Sequence, residues 1–205
     1  MELYDSEEQQ VEAIKDWWKE NGKAVILGAV VGLGGIFGWR YYQDSTIAAQ
    51  DAASKAYTEA MASITAQGAQ ASDSAQAFID ANKESQYSVL AALSLAKAQV
   101  EAGELDNALT QLEWALANNK DAAAESLIRF RVARIQAEQG EFDSALTSLG
   151  KITAESWKGR VAEQRGDILL RQGDKEGAYA AYTEAQQASV AGNQALQMKL
   201  DDLAK

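Results

Sequence analysis

Few residues in this chain are suited to chemical catalysis. The 205-residue sequence contains no cysteine and no histidine, which excludes thiol nucleophiles, cysteine-based metal centres and the commonest general base near neutral pH. Several acids, including Asp106 and Asp143, fall at expected helix termini, where a carboxylate stabilises the helix through its interaction with the helix dipole. No nucleophile elbow, phosphate loop or metal-ligand spacing is present. The chain is therefore predicted to be non-enzymatic, with no cofactor, metal or catalytic residue.

A cluster of glycines between residues 28 and 38 also invites a chemical interpretation. Its spacing is not the G-x-G-x-x-G of a dinucleotide loop, and no strand precedes it. Gly28, Gly32 and Gly35 instead share one face of a helix. Small residues on such a face let a second helix approach closely in lipid, although glycine is also simply common in membrane helices. We predict a helix-packing face at these three residues.

The glycines lie in the most apolar stretch of the chain, residues 21–42. Residues 24–39 carry no charge and would extend about 24 Å as a helix, against roughly 30 Å for a bilayer hydrocarbon core. The flanking Lys23 and Arg40 have stems long enough to reach the headgroups. Aromatic side chains follow at the level of an interfacial belt: Trp39, Tyr41 and Tyr42. The stretch predicts one transmembrane helix that acts as an uncleaved signal anchor.

Two other interpretations of residues 21–42 remain. One is a buried core helix in a soluble domain, and the other is a cleaved signal peptide. A signal peptide begins with a short basic segment and ends at small residues, whereas this stretch follows a long acidic segment and ends in aromatic and charged residues.

Residues 1–20 predict a short amphipathic helix ahead of the anchor. Val11, Ile14, Trp17 and Trp18 recur at helical spacing between charged residues. This apolar side suits the membrane surface, and it also suits docking on a partner. Slightly more lysine and arginine lies on this side of the anchor than on the other, which favours a cytoplasmic N-terminus.

The charge of the chain limits its partners. The net charge is −11, and the segments before and after the anchor are both acidic. Nucleic-acid binding requires clustered lysine and arginine, and a basic arm is needed to hold anionic lipid. Neither feature is present, so nucleic acid is excluded as a partner.

Residues 43–205 predict an all-α domain built from repeats. Gly103, Gly140 and Gly173 align, with spacings of 37 and 33 residues. The pattern resembles the tetratricopeptide repeat, a pair of antiparallel helices of about 34 residues. Each glycine is expected to end a first helix. The second helix then offers a small residue and, four positions later, a large one on the same face: Ala108 and Leu112, Ala145 and Leu149, Ala178 and Tyr182.

The repeats depart from the family pattern in places. No proline closes any of them, the large aromatic residue early in the first helix is missing, and Gly166 stands where Ala96 and Ala133 stand in the other repeats. Residues 44–81 predict a related, degenerate unit with helices over 45–66 and 72–81, the first continuing from the anchor. A capping helix is predicted at Gln194–Leu203, since a solenoid must cover the apolar face of its last repeat.

The first helices of such a solenoid line its concave face. Alignment of the repeats predicts five residues on this face that bind a partner: Lys97, Phe130, Arg134, Glu163 and Asp167. Phe130 between charges is suited to anchoring a peptide. The plainer alternative is a solvated helix face with one aromatic side chain tucked between helices. Trp114 and Trp157 are expected to pack within or between repeats.

The chain also resembles the YfgM family of ancillary SecYEG translocon subunits. The resemblance is carried by VEAIKDWWKENGKAVILG at 11–28 and by GWRYYQ at 38–43, followed by the alanine-rich helical repeats. It implies a single-pass protein of a bacterial inner membrane, divided into a cytoplasmic segment at 1–20, an anchor at 21–42 and a periplasmic domain at 43–205. The partners it implies are SecYEG, the periplasmic chaperone PpiD, exported client proteins and the lipid bilayer.

The function implied by this resemblance is an adaptor that helps to pass exported proteins to periplasmic chaperones. A role in tuning a cytoplasmic stress-response regulator is also attributed to the family. Two alternatives are therefore kept: a membrane-tethered scaffold for another envelope complex, and a regulator whose working part is the N-terminal helix.

Overall fold

The computed structural model describes residues 7–188 and 194–203. Within these ranges every regular element is helical, which confirms the all-α prediction. Residues 1–6 of the predicted N-terminal segment lie outside the described residues. Residues 189–193 and 204–205 of the predicted repeat domain also lie outside them.

The first helix, α1, runs from Glu7 to Gln67 and includes the predicted N-terminal helix, the anchor and the first helix of the degenerate unit. The chain divides within α1 into two units, Met1–Ala52 and Ala53–Lys205. In the described part of the chain, one helical stretch has the length and composition needed to cross a membrane, and 6% of its most apolar window is buried.

The apolar side chains of the predicted anchor are exposed. Ile26, Leu27, Val31 and Phe37 have exposed fractions of 55%, 66%, 66% and 68%. A core helix of a soluble protein buries such side chains, so the structure excludes that alternative for this chain. The exposed apolar surface fits a lipid environment, where it carries no hydrophobic cost.

The rest of the chain forms successive helical hairpins. The turn after α1 is a 3₁₀ helix at Gly68–Ala71, and a second 3₁₀ helix lies at Glu155–Trp157. The remaining helices follow in chain order: α2 Ser72–Ala81, α3 Gln86–Glu101, α4 Leu105–Asn118, α5 Ala122–Glu138, α6 Phe142–Gly150, α7 Lys158–Arg171, α8 Lys175–Ala188 and α9 Gln194–Leu203. The predicted bounds of α2 and α9 agree with the structure.

The glycines predicted to end the first helices do so with a common geometry. Gly103, Gly140 and Gly173 have φ of 79°, 83° and 86°. After each glycine, the next backbone N–H donates to a carbonyl five residues earlier, as from Glu141 to Gln136 at 2.8 Å. This is the Schellman arrangement, which closes a helix through one left-handed residue. The repeat boundaries are therefore fixed by local backbone chemistry.

The predicted seam of each hairpin is buried. Ala108, Ala145 and Ala178 are fully buried, and the large residues four positions later have exposed fractions of 2% or less. The small side chains bring each second helix close to its first helix, and Leu112, Leu149 and Tyr182 fill the remaining space. The capping helix α9 adds Leu196 and Leu200 to the last of these clusters.

The replacement of alanine by Gly166 has a packing cause. A Cβ atom at residue 166 would lie 2.4 Å from Cε1 and 2.5 Å from Cδ1 of Tyr182. The third hairpin therefore accommodates a tyrosine, where the other two have leucine, by removing the opposing methyl group. A large residue on α8 and a minimal residue on α7 form one complementary pair.

We expect Gly166→Ala to lower the free energy of unfolding by about 1–3 kcal/mol, because the added methyl group overpacks the seam. Tyr182→Leu in the same chain should recover most of this loss, since it removes the ring atoms that the methyl group meets. Urea unfolding of the full chain in detergent, followed by circular dichroism, would measure both effects. If Gly166→Ala instead stabilises the chain through its higher helix propensity, the packing argument is wrong.

Candidate functional site

A cavity of about 270 Å³, called here the inner groove, lies between α3 and α5 and is also lined by α4. The residues that line it come from three helices: Leu93, Ala96, Lys97, Val100 and Glu101 from α3, Leu105 and Leu112 from α4, and Arg131, Arg134, Ile135 and Glu138 from α5.

The floor of the inner groove is apolar, and its rim is charged. Leu93 and Ile135 belong to the hydrophobic core, whereas Lys97 and Arg134 are exposed above it. The side-chain stems of lysine and arginine add further apolar surface below their charged ends. The groove therefore combines a site for an apolar side chain with cationic groups on both sides.

The two acids of the rim already have partners. Glu101 lies 3.6 Å from Nζ of Lys97, and Glu138 lies 3.1 Å from Nη1 of Arg171. Arg131 and Arg134 make no ion pair with any residue in the described ranges. The groove thus presents two uncompensated guanidinium groups in a chain whose net charge is −11.

Such an arrangement is suited to binding an apolar side chain that has carboxylates beside it. Guanidinium groups bind carboxylates with paired hydrogen bonds, and the apolar floor gains free energy when it is covered. Catalysis would need a base or nucleophile, and the lining residues include none with the required arrangement. In the described part of the chain, no group of His, Cys, Asp or Glu is arranged to hold a metal.

The structure brings together two of the five residues predicted on the concave face. Lys97 and Arg134 line the inner groove. Phe130 lies deeper, against the core between α5 and α7, where its ring is 5.5 Å from that of Trp157. Arg160 lies over the same Trp157 ring at 5.2 Å. Phe130 and Trp157 therefore help to hold two repeats together.

Glu163 and Asp167 face the capping helix. Nζ of Lys199 donates to Glu163 at 3.0 Å and to Asp167 at 2.6 Å. The hydroxyl of Tyr182 also donates to Oδ1 of Asp167, at 2.7 Å. Both acids are thus occupied within this chain by groups of α8 and α9.

This cluster shifts the titration of its two proton donors. Burial raises the pKa of Tyr182, and the hydrogen bond to Asp167 raises it further. Burial acts to lower the pKa of Lys199, but its hydrogen bonds to Asp167 and Glu163 outweigh burial, and the pKa lies above its usual value. Lys199 is therefore charged throughout the physiological range.

Sequence reasoning missed Arg131, the other cation of the inner groove that has no ion pair within the described ranges. The signal was present, because residues three apart on a helix share a face, and Arg131 stands three positions before Arg134. The predicted packing face at Gly28, Gly32 and Gly35 is open: beyond the adjacent residues and the backbone of the same helix, a Cβ at any of these glycines would meet no described atom within 4 Å.

The family model of the tetratricopeptide repeat-like domain matches residues 15–205. The ancillary SecYEG translocon subunit of Escherichia coli (strain K12) is 36% identical over 205 residues, covering 99% of both chains. The ancillary SecYEG translocon subunit of Haemophilus influenzae is 36% identical over 199 residues, covering 96% of this chain and 97% of its own. This chain belongs to the YfgM family of ancillary SecYEG translocon subunits.

Solved structures share the fold of this YfgM-family chain at low identity. A tetratricopeptide repeat protein from Parabacteroides merdae has a TM-score of 0.58 at 17% identity, covering 73% of this chain and 60% of its own. Pseudomonas aeruginosa PilF has a TM-score of 0.57 at 16% identity, covering 75% of this chain and 68% of its own. These matches establish the helical-repeat architecture of the YfgM-family domain.

Lys199→Met should lower the free energy of unfolding by about 1–2 kcal/mol, because two charge-assisted hydrogen bonds to partly exposed acids are lost. Since the pKa of Lys199 is raised, this contribution is present below the ordinary lysine value and is lost only as the pH rises through the raised value. The difference between the two proteins should therefore stay constant from about pH 7 to 9.

Hydrogen exchange of the full chain would locate this effect. Faster exchange in α9 and the last turns of α7, with α3 and α4 unchanged, is expected. Lys175→Met provides a control, since Lys175 is an exposed lysine with no ion pair in the described ranges. An equal loss of stability in the control would show that removing any positive charge destabilises the chain, and the specific role of the Lys199 hydrogen bonds would then be wrong.

Proposed function

We propose that this chain is a membrane-anchored, non-enzymatic adaptor of the SecYEG translocon in a bacterial inner membrane. Its N-terminal segment lies in the cytoplasm, residues 21–42 cross the membrane once, and the repeat domain lies in the periplasm. The repeats bind exported proteins as they emerge and help to pass them to periplasmic chaperones. The family and fold are of a non-catalytic kind, and they support an adaptor.

The observation that carries this proposal is the extent of the likeness to named translocon subunits. The match to the Escherichia coli protein covers 99% of both chains, so it includes the exposed apolar stretch as well as the repeats. Matches that reflect the repeat fold alone, such as that to PilF, remain at 16% identity. Because this chain and the Escherichia coli protein share both the apolar stretch and the repeat domain, we expect the two proteins to act at the same cellular location.

Two surfaces of the chain are suited to different binding roles within this function. The open glycine face at Gly28, Gly32 and Gly35 is suited to packing against a membrane helix of the translocon. The inner groove is suited to apolar segments flanked by acids, and such segments are exposed in exported proteins before they fold. We propose that the first surface holds the chain at SecYEG and that the second binds clients.

Transfer to a chaperone such as PpiD is the further part of the proposal. It rests on the family resemblance and on the inner groove, which binds through a small number of contacts. A groove of about 270 Å³ accommodates one or two side chains of a client, and few contacts give fast release. A scaffold for another envelope complex would hold its partner through a larger, more permanent interface.

Membrane topology can be tested with single cysteines, because the chain contains none. Thr153→Cys lies in an exposed position between α6 and α7, and Glu12→Cys lies in an exposed position before the anchor. In intact spheroplasts, a membrane-impermeant maleimide should label Thr153→Cys fully and leave Glu12→Cys unlabelled until the membrane is broken. The reverse pattern would place the repeats in the cytoplasm, and the export function would then fail.

The separate binding roles of the inner groove and the glycine face can be tested with charge-matched variants. Arg131→Glu with Arg134→Glu should weaken binding of a labelled peptide, in which phenylalanines are flanked by glutamates, by about tenfold, since the guanidinium groups are replaced by like charges. Lys151→Glu with Lys175→Glu changes the net charge equally outside the groove and should leave binding unchanged. Fluorescence anisotropy on the full chain in detergent measures both affinities.

Capture of SecYEG in mild detergent completes this test. The Arg131 and Arg134 variant should retain the translocon, whereas Gly32→Ile should lose it, because a large side chain keeps a partner helix at a distance. If wild-type protein captures no SecYEG subunit, the adaptor proposal is wrong. If the groove variant also loses SecYEG, the two surfaces do not act separately.

A further inference from the structure

Each of the three first helices α3, α5 and α7 carries two oppositely charged residues four positions apart. They stand six and two residues before the glycine that ends the helix: Lys97 and Glu101 before Gly103, Arg134 and Glu138 before Gly140, Asp167 and Arg171 before Gly173. Residues four apart are neighbours on a helix surface, so each pair could close within its own helix. In the described part of the chain, the pair of α3 closes in this way and the pairs of α5 and α7 do not.

The pairs of α3 and α5 have the same spacing but different partners. In α3, Nζ of Lys97 lies 3.6 Å from Oε1 of Glu101. In α5, Oε1 of Glu138 lies 3.1 Å from Nη1 of Arg171 on the next first helix, and Arg134 makes no ion pair with any described residue. The position equivalent to Arg171 is Glu138 in α5, so Glu101 has an acid where Glu138 has a cation. The partner of each acid therefore depends on the neighbouring repeat.

Arg171 is available to Glu138 because the acid on its own helix has another partner. Asp167 precedes Arg171 by four residues, which is the more favourable order for an acid and a base on a helix. No ion pair joins them, however, since Oδ1 of Asp167 accepts from Nζ of Lys199 at 2.6 Å. Lys199 belongs to the capping helix α9, so the series of displaced pairs begins there.

The ion pair at α9 is the less exposed of the two that join separate helices in this series. The Lys199 and Asp167 side chains have exposed fractions of 32% and 36%, against 41% and 66% for Arg171 and Glu138. A less exposed pair is screened less by water and salt. The guanidinium of Arg171 also lies over the ring of Phe142, 5.3 Å from its centroid, which holds it beside the preceding hairpin.

We propose that Lys199 and Arg171 form an ion-pair relay that keeps Arg134 free to bind carboxylates in the inner groove. Lys199 occupies Asp167. Arg171 therefore pairs with Glu138, and Arg134 remains without an acid. The inference rests on the proposed binding of acid-flanked segments in this groove, and it makes α9 a determinant of the groove's selectivity, although α9 contributes no lining residue.

The first experiment observes Arg134 directly in the full chain, labelled with ¹⁵N-arginine and held in detergent micelles. Its Nε–Hε signal is assigned from the spectrum of Arg134→Lys. Arg171→Met should shift this signal downfield, because Glu138 becomes the partner of Arg134, and adding Glu138→Gln should reverse the shift. Lys199→Met should shift the signal in the same direction, because Asp167 then takes Arg171 from Glu138, and adding Asp167→Asn should reverse it.

The second experiment measures peptide binding by fluorescence anisotropy. A peptide with phenylalanines flanked by glutamates should bind Arg171→Met about two- to threefold more weakly than wild type, since a weak exposed ion pair must first be broken. A peptide with glutamines in place of the glutamates should bind both proteins equally, because the apolar floor is unchanged. When Glu138→Gln is also present, Arg171→Met should cause no such loss.

Arg165→Met is the matched control. Arg165 lies on the same helix as Arg171 and pairs with Glu184 of α8, so the substitution removes the same charge and also breaks an ion pair. It should leave the Arg134 signal and both peptide affinities unchanged. Circular dichroism checks the folding of every variant.

Three outcomes would overturn the relay. The first is an Arg134 signal that does not move in Arg171→Met. The second is an equal loss of acidic-peptide binding with and without Glu138→Gln, which would show that Arg171 acts through its charge alone. The third is an equal loss for both peptides, which would show a purely structural role.

Failure of the relay can be told apart from failure of the proposed function. If wild-type protein binds neither peptide, the client role of the inner groove is wrong, and so is the selectivity assigned to the relay. The signal of Arg134 reports the ion pairs in either case, because its measurement needs neither a peptide nor SecYEG.

Discussion

The close approach of two helices across a small side chain is the contact on which the whole repeat domain depends. In each hairpin an alanine of the second helix is fully buried, and a large residue one turn later fills the seam. Where that residue is Tyr182 instead of leucine, the opposing residue is reduced to Gly166. The helix spacing set by these pairs determines how the first helices stand beside one another, and therefore where a groove opens between α3 and α5.

Much of the fold could be predicted because it is encoded in short-range patterns. A glycine at the end of a helix and a small residue five positions later are enough to place each hairpin, and α2 and α9 occupy the predicted residues. The inner groove could not be predicted in the same way, since it depends on side chains distant in sequence. Asp167 aligns with Lys97 and Arg134 of the inner groove. Lys199, at the far end of the chain, nevertheless pairs with Asp167 and with Glu163.

Net charge alone gives a misleading picture of this molecule. A chain with a net charge of −11 would be expected to repel acidic segments. The ion pairs on its surface change that expectation locally, because Glu101 and Glu138 each have a cationic partner. Arg131 and Arg134 have no ion-pair partner among the residues that the structure describes. Within a few ångströms of the surface, the pairing of individual charged side chains has more influence on the local electrostatic potential than the net charge of the chain has.

The capping helix α9 occupies the face of the last hairpin on which another hairpin would otherwise stack. Its Leu196 and Leu200 cover the apolar residues there, and Lys199 pairs with the half-buried Glu163 and Asp167. Repeat arrays with an uncovered end can polymerise, because the end of one copy matches the beginning of the next. Because α9 covers this end, a second copy could stack on the last hairpin only after α9 had been displaced.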